Sequence, residues 1–113
     1  MMYRDNHLNR TVQALLAELK TGMDGLYGQR LRGLRIYGSY ARGEAEPESD
    51  LDVLVVLDRI DSYGAEIERT SELVSGVSLR YGISVSRVFT PELSWQSGQS
   101  GFLVNIREES VPA

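Results

Sequence analysis

Two aspartates, Asp50 and Asp52, stand two residues apart where an apolar run begins, and a Gly38-Ser39 pair ends a short segment upstream. Each feature suggests a chemistry. Side chains alternate across a strand, so Asp50 and Asp52 project to one face while Leu51 and Val53 point to the other. Two carboxylates held side by side next to apolar surface repel each other unless a cation lies between them. Hard oxygen donors of this kind, with phosphate oxygens completing the shell, suit magnesium. Glycine at a strand end lets the backbone approach a ligand closely, and Ser39 adds a hydroxyl. If Ser39 opens a helical turn, its free amides suit a phosphate. Taken singly, Gly-Ser is a common turn and Asp-x-Asp is often a solvated strand edge. Their spacing within one segment makes the pair informative.

Three strands and three helices can be read around this segment. From about Asn6 to Tyr27, Leu8, Val12, Leu15, Leu16, Leu19, Met23 and Leu26 recur at helical spacing, with fraying expected from Gly22, Gly25 and Gly28. Leu34–Tyr37 reads as a short strand stopped by Gly38. Leu51–Leu57 is almost continuously apolar, as in a central strand covered on both faces. Tyr63, Ile67, Val74, Val77 and Tyr81 mark a second helix, with Asp61 and Ser62 as caps and Gly82 as its end. Ile83–Phe89 reads as a third strand closed by Pro91, followed by a polar loop. A final helix is expected over Gly101–Glu109, with Glu108 and Glu109 in solvent. The fold class is therefore α/β (α+β), a small mixed sheet covered by helices, with residues 1–113 as a single domain.

Composition narrows the function classes. The chain has 113 residues, 42% hydrophobic and 25% charged, as in an ordinary globular protein. With no cysteine there are no disulfides, thiolate metal sites or cysteine nucleophiles, which fits a cytoplasmic location. No apolar run reaches the roughly 20 residues of a membrane span, and no signal-peptide pattern opens the chain. A net charge of −4 argues against direct binding to nucleic acid. Arg30, Arg32, Arg35 and Arg42 read as solvated surface or as a screen for a small phosphate ligand. No GxxxxGK[ST] loop is present, and the early glycines follow no strand, so neither a P-loop nor a dinucleotide fingerprint is expected. His7 reads as a surface residue. Trp95 is a loop anchor or a stacking platform for a base or a partner. Asp58 and Asp61 suit a turn and a cap.

Gly-Ser, ten intervening residues and Asp-x-Asp resemble the signature of the DNA polymerase beta-like nucleotidyltransferase superfamily. The longer stretch GSYARGEAEPESDLDVLVV is similar to the minimal nucleotidyltransferase (MNT) group, the antitoxin half of HEPN/MNT toxin-antitoxin pairs. The resemblance implies that Gly38 and Ser39 position the β- and γ-phosphates of ATP and that Asp50 and Asp52 are the catalytic metal ligands for Mg2+. Arg42, in the same loop, then assists the phosphates or locks the loop; as a plain surface residue it would pair with Glu44 or Glu46. The family's third carboxylate lies on the next strand of the site, where the best alignment puts Ser84. A serine is a poor base near neutral pH, and Glu44, Glu46 and Glu48 are the substitutes within the loop.

The implied activity is transfer of AMP from ATP to a hydroxyl, a tyrosine of a small helical HEPN-type toxin. The alternatives are a non-catalytic antitoxin that neutralises its partner by binding alone, and an antibiotic-modifying enzyme, which the missing acceptor-binding domain disfavours. Tyr3, Tyr27 or another tyrosine of this chain is an alternative target.

Overall fold

The run Leu51–Leu57 forms β2, the strand on which the rest of the fold is assembled. The computed structural model describes residues 8–113. Strand β1 (Leu31–Tyr37) pairs antiparallel with β2, and β3 (Val85–Pro91) pairs parallel with it. A two-residue strand, β4 (Val111–Pro112), adds antiparallel to β1, so the mixed sheet runs β3-β2-β1-β4. Because β2 is interior and covered on both faces, every residue from Val53 to Leu57 is buried. This accounts for its lack of polar alternation.

The two faces carry different layers. Leu51, Val53, Val55 and Leu57 join Leu34 and Ile36 beneath α1 (Arg10–Tyr27) and α3 (Tyr63–Tyr81), forming the main core. Leu15, Leu19, Met23 and Val77 are fully buried there, each such burial stabilising by roughly 1.5–3 kcal/mol. Leu54 and Val56, on the opposite face, pack with Ile106, Tyr37, Val88 and Trp95 in a smaller cluster. Two short helices, α4 (Glu92–Ser97) and α5 (Gly101–Glu109), supply Trp95 and Ile106 to this layer. Asp52 lies on this second face, in line with Leu54 and Val56.

Local signals set the helix ends. The Asn9 side chain accepts a hydrogen bond from the Val12 amide (2.9 Å), so α1 starts at Arg10; Asn6 and His7 lie outside the described residues. The expected fraying does not occur, because α1 continues to Tyr27 with Gly22 against Leu73 of α3. A larger residue at Gly22 would meet that leucine, so the glycine allows close helix packing. Ser62 accepts from the Ala65 amide (3.2 Å), and Gly82, at φ 68°, closes α3. The polar loop expected after Pro91 contains α4 instead, and β1 begins three residues earlier than its apolar pattern indicated.

One buried acid fastens α1 to α3. Glu66 is 3% exposed and accepts a hydrogen bond from the Tyr27 hydroxyl (2.7 Å) and another from Arg69 (3.1 Å), with Arg30 3.5 Å away. Burial pushes its carboxyl up, but the Tyr27 and Arg69 hydrogen bonds and the charges of Arg69 and Arg30 outweigh it and leave the group below the ordinary Glu range. A carboxyl depressed in the folded state contributes stability above its unfolded pKa, and that stability is lost as pH falls through the folded value. Glu66→Ala should cost about 3 kcal/mol in chemical denaturation at neutral pH, and its deficit should shrink in acid. A loss below about 1 kcal/mol would show that the cluster does not clamp the helices.

Candidate functional site

Strand β1 ends at Tyr37, and the chain reverses through Gly38 into the short helix α2 (Ser39–Arg42). Gly38 adopts φ 79°, a left-handed backbone that glycine tolerates and other residues resist. A β-carbon built there would lie 2.3 Å from Asp52 Oδ2, so the bare α-carbon allows the loop to lie against the carboxylate. Gly43, at φ 73°, ends α2. The chain then crosses an exposed stretch, Glu44–Glu48, before entering β2.

The sheet register places Asp52 between two neighbours. Tyr37 is its partner on β1 and Ser86 its partner on β3. Ser84 falls one residue before β3, and its carbonyl accepts from the Leu51 amide (2.8 Å). Level with Asp52, β3 therefore carries Ser86. Among the described residues, no group of three or more His, Cys, Asp or Glu side chains is gathered to hold a metal ion.

Electrostatics bring the motif residues into one neighbourhood. Burial raises the Asp52 carboxyl, the negative charge of Asp50 raises it further, Arg42 pulls it down in part, and Glu109 pushes it up again. Tyr37 is half-buried, and burial followed by the charge of Asp52 lifts its phenol to about 12, so it stays protonated at neutral pH. An open groove of about 510 Å³ extends from Gly38 between Tyr37, Phe102, Asn105, Ile106 and Glu109. Phe102, 48% exposed, meets Tyr37 edge-on at 5.9 Å.

Glu109 departs from its expected place in solvent. From the end of α5 it accepts from the Gly38 amide through Oε2 (3.0 Å) and from Arg42 through Oε1 (3.2 Å). Arg42 also donates to Glu44 (2.8 Å), and these two acids hold its guanidinium above the ordinary arginine range. The other arginines of the expected group do not join it. Arg30 binds Asp58 (3.0 Å), Arg32 pairs with Glu92 (3.4 Å), and Arg35 donates to Ser110 (2.7 Å) while lying over the Trp95 ring. Trp95 sits between Arg35 and Arg107 against the smaller core, the anchoring role. Asp58 and Asp61 pair with Arg30 and Arg59, away from the site. Tyr27 is buried with its hydroxyl donating to Glu66; Tyr3 and His7 lie outside the described residues.

Comparisons with known proteins agree with this architecture. Residues 16–108 match the Nucleotidyltransferase domain family. Two Methanocaldococcus jannaschii proteins, each named a putative protein adenylyltransferase, are similar in sequence. One is 26% identical over 100 residues, covering 83% of this chain and 89% of the relative. The other is 30% identical over 74 residues, covering 66% and 74%. Among solved structures, a putative minimal nucleotidyltransferase superposes with a TM-score of 0.63 at 22% identity, covering 97% of this chain and 98% of its own. A structure of a toxin-antitoxin with AMP-PNP gives 0.57 at 19% identity over 93% and 72%. A putative nucleotidyltransferase from Sulfolobus solfataricus gives 0.55 at 18% identity over 99% and 90%. These structural likenesses establish the shared fold, and the match over most of the chain establishes the family: this protein belongs to the nucleotidyltransferase domain family.

Proposed function

We propose that this chain is a magnesium-dependent adenylyltransferase that acts as an antitoxin, moving AMP from ATP onto a tyrosine hydroxyl of a helical HEPN-type toxin. The observation that carries the reading is the contact of Gly38 with Asp52, which joins a backbone amide suited to phosphate with a carboxylate suited to a metal. The names of the two archaeal relatives support adenylyl transfer to protein, and the toxin-antitoxin neighbour supports the biological setting.

The donors fit magnesium. Asp52 is partly buried beside the charge of Asp50, an arrangement that a hard cation relieves. Magnesium is commonly bound by one or two carboxylates, with phosphates and water completing its shell. Asp50 and Asp52 would hold the ion, which when bound draws charge from the phosphate oxygens and steadies the departing pyrophosphate. The Gly38 amide, the Ser39 hydroxyl and Arg42 would orient the β- and γ-phosphates so that the α-phosphorus faces the acceptor. The acceptor oxygen bonds to that phosphorus as the bond to pyrophosphate breaks, and the hydroxyl proton leaves to solvent. The whole chain would act as one catalytic unit, with the partner supplying the acceptor surface.

A second reading is favoured by one specific observation. With Ser86 level with Asp52 and Ser84 just outside the strand, β3 offers no carboxylate here to take the acceptor's proton. The protein would then be an antitoxin that neutralises by contact alone. Incubation with ATP and magnesium, with and without a HEPN-type partner protein, followed by intact-mass analysis, separates the two. AMP units gained by the partner, and absent with Asp50→Asn, support the transferase. A tight complex with no mass gain, unaffected by that substitution, supports binding alone.

A further inference from the structure

Glu109 holds the two donors that the proposed phosphate site would use. Its carboxylate spans the Gly38 amide (3.0 Å) and the Arg42 guanidinium (3.2 Å), one oxygen on each. A carboxylate on a backbone amide and an arginine makes the same charge-assisted bonds as a phosphate oxygen pair. Its position follows from the C-terminal segment. Ser110, the next residue, is buried and receives two hydrogen bonds from Arg35, 2.7 Å to its hydroxyl and 3.1 Å to its carbonyl. Beyond it, β4 pairs with Arg35 and Ile36 of β1, and the Ala113 amide donates to the Leu34 carbonyl (3.0 Å). The backbone at Glu109 is thus pinned to the strand that leads into Gly38, while the side chain is about a third exposed.

We infer that Glu109 is a built-in competitor for the phosphate seat: the carboxylate occupies Gly38 and Arg42 when no nucleotide is present, and a triphosphate must displace it to bind. The inference rests on the proposed nucleotide site and adds a regulatory element to it. Two consequences follow. Affinity for the phosphate chain is set below what the donors alone would give, and nucleotide entry frees the Glu109 side chain at the end of α5. The Glu109 charge also repels an incoming phosphate and, together with Asp50, adds to the negative potential at Asp52. Its displacement therefore relieves the site as the nucleotide arrives.

Calorimetric titration of the full chain with tripolyphosphate and with ATP, both with magnesium, tests this in wild type, Glu109→Ala and Glu109→Gln. Both ligands should bind Glu109→Ala about tenfold more tightly, the scale of one charge-assisted hydrogen bond. Glu109→Gln, which keeps the size and an acceptor but loses the charge, should shift the same way by less and guards against misfolding of the alanine variant. Equal or weaker binding by the variants, with wild type still binding ATP, overturns the competitor and leaves the nucleotide site standing. Wild type and variants that all ignore both ligands overturn the nucleotide site and the competitor together. Tighter tripolyphosphate binding by a Glu109 variant supports the seat even where that variant transfers no AMP to the partner.

Discussion

Asp52→Asn should abolish AMP transfer, by at least about a hundredfold, while making the metal-free protein more stable. The two effects share one cause. Asp52 is a partly buried carboxylate whose group is raised by burial and by the charge of Asp50. A carboxyl raised in the folded state favours folding fully below its unfolded pKa and loses that contribution as pH rises through the folded value. At neutral pH the ionised aspartate is therefore a cost of the fold, accepted for the ion it would hold. Asparagine keeps the shape and removes the charge, so the melting temperature without metal should rise. Added magnesium should raise the wild-type melting temperature and leave that of Asp52→Asn unchanged. A variant that melts lower without metal would mean that Asp52 is a structural residue satisfied by its neighbours.

Gly38→Ala is expected to weaken nucleotide binding more than tenfold and to cost about 2 kcal/mol of stability, combining backbone strain with a clash. Alanine at φ 79° is strained wherever it occurs, and here its β-carbon would lie 2.3 Å from the Asp52 carboxylate. Either the loop or the carboxylate must move, and both belong to the proposed site. Gly28→Ala separates the two contributions. Gly28 shares the glycine-only backbone region of Gly38 (φ 55°, ψ −128° against φ 79°, ψ −154°), with nothing within 4 Å of the added carbon, so it should lose about 1–2 kcal/mol and bind nucleotide as wild type does. Equal nucleotide binding by Gly38→Ala and Gly28→Ala would remove the close approach from the site's design. Titration calorimetry with ATP and magnesium, alongside thermal melts, measures both quantities.

The parts of the fold legible in the sequence are those governed by local rules. Leu51–Leu57 announced a strand buried on both faces because no polar residue interrupts it after Asp52, and α3 was bounded by its Ser62 cap and by Gly82. The parts that were not legible depend on partners distant in the chain. Strand β4 is two residues long and exists because β1 offers it an edge. Helix α4 presents little apolar periodicity and is held by Trp95 between Arg35 and Arg107. The first three residues of β1 include Arg32 and Gly33, which hid a strand that its pairing with β2 enforces.

The candidate site divides in the same way. Gly38, Ser39, Asp50 and Asp52 lie within one stretch whose spacing suggested phosphate and metal chemistry, and Gly38 does lie against Asp52. Tyr37 beside Asp52, and Ser86 rather than Ser84 level with it, emerge only from the strand register. Glu109 carried no sequence signal at all. Its reach to Gly38 depends on α5 crossing the second face of the sheet and on β4 pinning the chain to β1.

The most direct test of nucleotidyl transfer compares ATP labelled on the α-phosphate with ATP labelled on the γ-phosphate, supplied with magnesium and the partner protein. Transfer of the α-label to the partner, with pyrophosphate released and with both lost in Asp52→Asn, is the expected result. Transfer of the γ-label, or α-label transfer that survives Asp52→Asn, would contradict it.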